Sequence, residues 1–162
     1  MLNAIYLYRA ARFFYKIRLS FFSKIITALV FIIYSSKISY KTKIGKGTFF
    51  VYGGLGVLIN EDSLIGECCS IGVNSMIVGQ GPFKNAPKIG NKVFIGPGAV
   101  IQGPVIIEDN VIIAPNSVVN KSVPQGAIVA GVPAKIVGWI KDLDYDIFKN
   151  EKVKDGHFPY LS

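Results

Sequence analysis

From Ile59 onward a large apolar residue returns at every sixth position: Ile59, Ile65, Ile71, Ile77, Phe83, Ile89, Ile95, Ile101, Ile107, Ile113 and Val119. A second series, mostly small or β-branched, sits four residues further on: Ser63, Cys69, Ser75, Pro87, Val93, Ala99, Val105, Val111, Ser117 and Val123. Neither the 3.6-residue period of a helix nor the alternation of an isolated strand produces a strict six. A triangular prism does. Each hexad makes one short strand and a corner, and three hexads complete a coil. The Ile points to the axis and stacks on the Ile one coil away, while the small residue fits near a corner. Gly and Asn after the Ile, as in IGEC, IGVN and IGNK, relieve backbone strain at the corners. Each coil needs a neighbour to satisfy its backbone, so the repeat predicts a stacked parallel β-helix.

Upstream the pattern changes. Arg9, Arg12 and Lys16 recur at spacings of three and four, and Tyr6, Ala10, Phe13 and Ile17 do the same on the other side. This predicts an amphipathic helix over about residues 2–18 with a basic stripe. A second helix over about 20–36 contains the uncharged run IITALVFIIYSS between Lys24 and Lys37. That run falls short of the roughly 20 apolar residues a membrane span needs, so a buried or interfacial helix fits better. No small-residue cleavage site follows it, so it does not read as a signal peptide. The chain therefore divides into an N-terminal helical arm (1–36), the repeat (37–138) and a C-terminal tail (139–162).

Charge sharpens this division. The net charge is +8, and residues before Glu61 carry Lys and Arg with no acidic residue. Such an arm suits a negative partner, and a membrane surface fits it better than nucleic acid, for which no binding motif is present. Cys68 and Cys69 are adjacent, so no disulfide framework is expected; two reduced thiols, one buried, suit a cytoplasmic protein. One histidine and a Cys-Cys pair supply no metal-ligand set, and a zinc-dependent β-helix carbonic anhydrase, with its three histidine ligands, is excluded.

The stretch IGNKVFIGPGAVIQGPVIIEDNVIIAPNSVVNKSVPQGAIVAGVPAKIVG resembles the C-terminal coils of serine acetyltransferases and polysaccharide O-acetyltransferases. VAGVPAKIVG resembles the closing signature of that hexapeptide-repeat family, and YGGLGVLINEDSLIG its active-site coil. LYRAARFFYK is similar to the short N-terminal helix of the polysaccharide members. The resemblance implies a mainly β fold, a left-handed parallel β-helix with short N-terminal helices. It also implies a homotrimer that binds acetyl-CoA in grooves between subunits, with no metal. Carried over by position, the groove would include Gly98, Ala99, Ala114, Ser117, Asn120, Lys121, Pro133 and Lys135. Small side chains would let the pantetheine arm approach the backbone, and lysines would meet the phosphates.

The chain departs from that family where the chemistry lies. Transfer to a hydroxyl calls for a base and for donors to the developing oxyanion. The first family histidine falls on Tyr52 or Gly53, the second on Ala86, the supporting aspartate on Lys37, and a histidine of some relatives on Asn60. Candidates for the missing work are Tyr52, Asn60, Glu61 and the tail's His157. The expected function is acetyl-CoA-dependent O-acetylation of a sugar or glycan acceptor in surface-polysaccharide synthesis. The enzyme would be cytoplasmic, with peripheral contact through residues 1–36 at the inner face of the plasma membrane. Serine O-acetylation is a further alternative, set lower because the helical segment before the repeat is short. A catalytically degenerate binding or scaffold protein is the non-enzymatic alternative.

Overall fold

The computed structural model describes residues 3–82, 85–147 and 151–152. Its body is a parallel β-helix with three flat faces. Face A stacks Lys37–Ile38, Leu58–Ile59, Met76–Val78, Val100–Gln102 and Val118–Val119. Face B stacks Lys43–Ile44, Leu64–Ile65, Lys88–Ile89 and Ile106–Ile107. Face C stacks Phe49–Phe50, Ser70–Ile71, Phe94–Ile95, Ile112–Ile113 and Ala127–Gly131, and Ala134–Trp139 adds to it as an antiparallel hairpin.

The two-residue strands follow from the hexad. One residue of each pair points outward, and the next points to the axis. Ile59 pairs with Ile77, Ile77 with Ile101 and Ile101 with Val119, so the axial side chains form a continuous column. Ile71, Ile77, Ile95, Ile101, Ile107 and Ile113 have no exposed surface. The column begins a coil earlier than the run from Ile59, with Ile38, Ile44 and Phe50 paired beneath Ile59, Ile65 and Ile71.

The strand after Met76–Val78 is Lys88–Ile89, so the turn between faces A and B has grown by one hexad's length. Phe83 itself lies outside the described residues. An insertion of that length leaves the count of six intact, which is why the series passes through it. A second insertion forms the corner Val51–Gly54, a short 3-10 turn between Phe50 and Leu58.

Two helices close the start of the prism: α1 (Ala4–Lys16) and α2 (Ser20–Tyr34). Asn3 caps α1 by accepting from the Ile5 N–H at 3.1 Å. The pattern of α1 leaves open which face meets the prism, and the structure decides it. Ala4, Ile5, Tyr8 and Ala11 are buried, while Tyr6, Phe13 and Ile17 are exposed. Arg9 and Arg12 turn inward because a terminal coil has no coil beneath it to satisfy its carbonyls, while Lys16 stays exposed. Arg9 donates to the Gly45 carbonyl at 3.0 Å. Arg12 donates to the carbonyls of Tyr40, Lys41 and Thr42 at 3.2, 3.0 and 2.7 Å. The Tyr8 hydroxyl donates to the Thr42 carbonyl at 2.6 Å and accepts from the Ile44 N–H at 3.3 Å. Cys69 is buried and Cys68 exposed, both as free thiols.

Candidate functional site

Two edges of face A carry the candidate groups. The edge where face C turns into face A begins at Tyr52. This residue has φ 51° and ψ 38°, a left-handed conformation uncommon for a bulky side chain. Gly53 and Gly54 follow with positive φ, and a side chain on Gly54 would come within 2.9 Å of Phe50 Cβ. The turn can therefore lie flat over Phe50 only with glycine there, and it pushes Tyr52 outward, leaving its side chain 69% exposed. The same left-handed φ recurs at Cys68, Asn74, Lys92, Asn110 and Asn116, so it belongs to the corners of the coil, and what sets Tyr52 apart is its exposed aromatic ring.

Further along the same edge the coils stack closely. A side chain on Gly96 would come within 2.5 Å of the Pro115 backbone nitrogen, and one on Gly98 would meet the Asn116 carboxamide. Ala114 is half-buried above them. Ala99 is wholly buried, and the Ser117 hydroxyl accepts from the Gly131 N–H at 3.2 Å. Ala99 and Ser117 are buried as whole residues and their backbone groups are spent within the coil stack, so neither faces anything lying on this edge. The loop between Ala127–Gly131 and Ala134–Trp139 places exposed Pro133 at its tip and exposed Lys135 beside it.

The other edge, where face A turns into face B, holds Asn60, Glu61, Asn120 and Lys121. Asn60 spends its side-chain oxygen on the Asp62 N–H at 2.8 Å, a turn-closing bond that leaves its NH2 group as the available donor. Glu61 pairs with Lys41 at 3.2 Å, both about half exposed. The hydrogen bond that the Lys41 ammonium donates to Glu61, together with the carboxylate's charge, holds Lys41 above the usual lysine range. Asn120 and Lys121 are exposed at the same corner in a later coil. His157 lies outside the described residues, so the structure does not place it.

A depression of about 460 Å³ opens on face A beside Asn60 and Glu61, lined also by Thr27, Lys37, Ser39 and Leu58. The Thr27 hydroxyl is buried without a hydrogen-bond partner. Thr27, Ser39 and Lys41 were not singled out in the sequence. The one available signal for Lys41 was a coil offset lengthened by the turn at Val51–Gly54, which sets Ile38 opposite Ile59. Tyr52 and Glu61 thus belong to opposite edges of one face, and a single chain does not unite them. Among the described residues there is no group of three or more His, Cys, Asp or Glu placed to hold a metal.

Comparison with known proteins accounts for this edge chemistry. The family model described as bacterial transferase hexapeptide (six repeats) matches residues 86–121. A serine acetyltransferase of Helicobacter pylori strain J99 is 33% identical over 138 residues, covering 84% of this chain and 80% of its own. One from Staphylococcus epidermidis is 37% identical over 138 residues, covering 84% of this chain and 64% of its own. The solved serine acetyltransferase of Brucella abortus, in complex with coenzyme A, superposes with a TM-score of 0.79 at 33% identity. It covers 84% of this chain, which spans only 55% of the solved one. The fold is accordingly the left-handed parallel β-helix. The H. pylori relative also removes one reason for setting serine aside: it is matched over most of its length, without a long preceding segment.

Proposed function

The chain belongs to the hexapeptide-repeat acetyltransferase family, and on that premise we propose that it is an acetyl-CoA-dependent O-acetyltransferase. The acceptor oxygen attacks the thioester carbonyl, an oxygen ester forms, and the acceptor's proton ends on the sulfur of coenzyme A. The observation that carries this reading is the edge of small corner residues running from exposed Tyr52 past Gly98 and Ala114 to exposed Lys135, which leaves a cation at its far end. Its likeness to a chain solved with coenzyme A supports the same use. Lys121 and Lys135 are the groups available for the phosphates.

Serine is the acceptor that the relatives' names point to. A sugar hydroxyl of a surface polysaccharide is the second reading. What favours it is the departure of this chain at the acceptor end, where Tyr52, Lys37 and Asn60 replace the family's ionisable pattern. In either case the enzyme works without the family histidine, through placement of the hydroxyl and backbone donors between Tyr52 and Asn60, with Glu61 or His157 as base. A homotrimer with parallel prism axes belongs to this reading, because the two candidate edges, apart in one chain, would complete one site only across two copies. Cytoplasmic location and peripheral membrane contact through residues 1–36 belong to it as well; no helix among the described residues is long and apolar enough to cross a membrane.

The test is calorimetric titration with acetyl-CoA, followed by thiol release with serine and with nucleotide sugars as acceptors. Binding with turnover of one acceptor class identifies the acceptor. No binding at millimolar acetyl-CoA removes the enzyme and leaves the scaffold reading. Sedimentation showing a monomer at micromolar concentration removes the two-chain site.

A further inference from the structure

Helix α2 is apolar almost all round, yet only one stripe of it is used. Ser23, Val30 and Tyr34 are buried, and the Ser23 hydroxyl donates to the Ala11 carbonyl of α1 at 2.8 Å. The opposite arc carries Phe21, Phe22, Ile25, Leu29, Ile32 and Ile33, all exposed, with Phe21 at 71% and Ile32 at 74%. The turn between the helices continues the patch through Phe13, Ile17 and Leu19. An apolar surface of this extent is rare on a free soluble chain.

The charges around the patch select its occupant. Lys16, Arg18 and Lys24 flank it, each exposed, and no carboxylate occurs before Glu61. Arg9 and Arg12 are engaged on carbonyls of the first coil, so the cations left for a partner are those at the rim of the apolar arc. Two copies meeting arc to arc would set cation against cation, whereas anionic headgroups neutralise them. The 15 residues of α2 span about 22 Å, less than the roughly 30 Å of a hydrocarbon core. The helix therefore lies in the plane of a membrane surface rather than across it.

We infer that the outer arc of α2, together with the α1–α2 turn, is an in-plane anchor for an anionic phospholipid surface. This extends the membrane contact in the reading above and does not depend on which hydroxyl is acetylated. Thr27 of the same helix lines the depression beside Asn60 and Glu61, so docking sets that corner close to the headgroups.

Flotation of the full chain with phosphatidylcholine vesicles, with and without phosphatidylglycerol, tests the anchor. The wild type floats with the anionic vesicles and is released in part by salt. Ile25→Glu with Ile32→Glu touches only exposed positions and lowers binding at least about tenfold. Lys24→Glu lowers it by roughly fivefold or more. Wild type that stays down with both vesicles overturns the inference, as does a double variant that floats like wild type. A double variant that loses subunit mass in sedimentation, with no vesicle binding by wild type, assigns the arc to contact between copies. Acetyl-CoA titration of the same samples reports separately on the cofactor edge, so vesicle binding without acetyl-CoA binding leaves the anchor standing while the acyl-transfer reading falls.

Discussion

Restoring the family histidine at Tyr52 is the most direct test of the site. Tyr52 is 69% exposed, and its left-handed φ of 51° is one that histidine adopts more readily than most residues. Tyr52→His therefore removes no buried contact and should change stability by no more than about 0.5 kcal/mol. A positioned general base contributes about 10²–10⁴ in rate. The lower end is expected here, because Lys37 occupies the position matched to the supporting aspartate. A cation there disfavours the imidazolium that forms during the reaction and offers the ring no acceptor. The gain should be about 10², or roughly 2.7 kcal/mol of barrier, rising further in Tyr52→His with Lys37→Asp. The assay is release of the coenzyme A thiol at saturating acetyl-CoA across pH. The variant should acquire a limb that rises with pH through about 6.5, the range of an ordinary imidazole. Unchanged rates and no new limb, with acetyl-CoA affinity intact, would show that the reacting hydroxyl does not sit at this corner.

Other consequences follow from the coil and its cap. Ile95 is wholly buried between Ile71 and Ile113, so Ile95→Ala should cost about 3 kcal/mol in urea denaturation, while Phe94→Ala on the outward side of the same strand costs far less; equal midpoints would mean that Ile95 is not axial. Tyr8→Phe leaves the buried Ile44 N–H without its acceptor and should cost about 1–3 kcal/mol near neutral pH. Burial, the largest cause, raises the Tyr8 pKa, so stability is complete below the unfolded value near 10 and is lost as pH rises through the higher folded value. Melts of Tyr8→Phe should therefore decline less in that alkaline range than those of wild type, and parallel declines would dismiss Tyr8 as the titrating group. Glu61→Gln disrupts only a half-exposed pair with Lys41, so the melting temperature should hold while kcat falls about 10² or more if Glu61 is the base; full activity would remove it from that role.

How far these features were legible depends on what enforces each one. The axial Ile column is enforced by burial at every coil, so a six-residue period in the sequence maps directly onto Ile71, Ile95 and Ile113 in register. Corners are enforced only by backbone conformation, and an inserted corner can change length without disturbing the column. The longer turn after Val78 adds a whole hexad and is invisible to the period. The turn at Val51–Gly54 announces itself through Tyr52, Gly53 and Gly54, because glycine is needed where the chain folds back on Phe50.

The orientation of the helical arm was not legible for a different reason. Amphipathicity says which residues share a face, not which face meets protein, and the usual assumption is that the apolar face is the inner one. That assumption fails where the protein surface being covered is polar. The first coil of a β-helix is such a surface: its carbonyls at Tyr40, Lys41, Thr42 and Gly45 have no coil beneath them. Guanidinium groups satisfy several carbonyls at once, so Arg9 and Arg12 face inward and Tyr6, Phe13 and Ile17 are left outside. The cost of sealing the stack is thus an exposed apolar surface on the sealing element. The same cap that completes the fold thus leaves exposed the apolar residues on which the proposed membrane anchor rests.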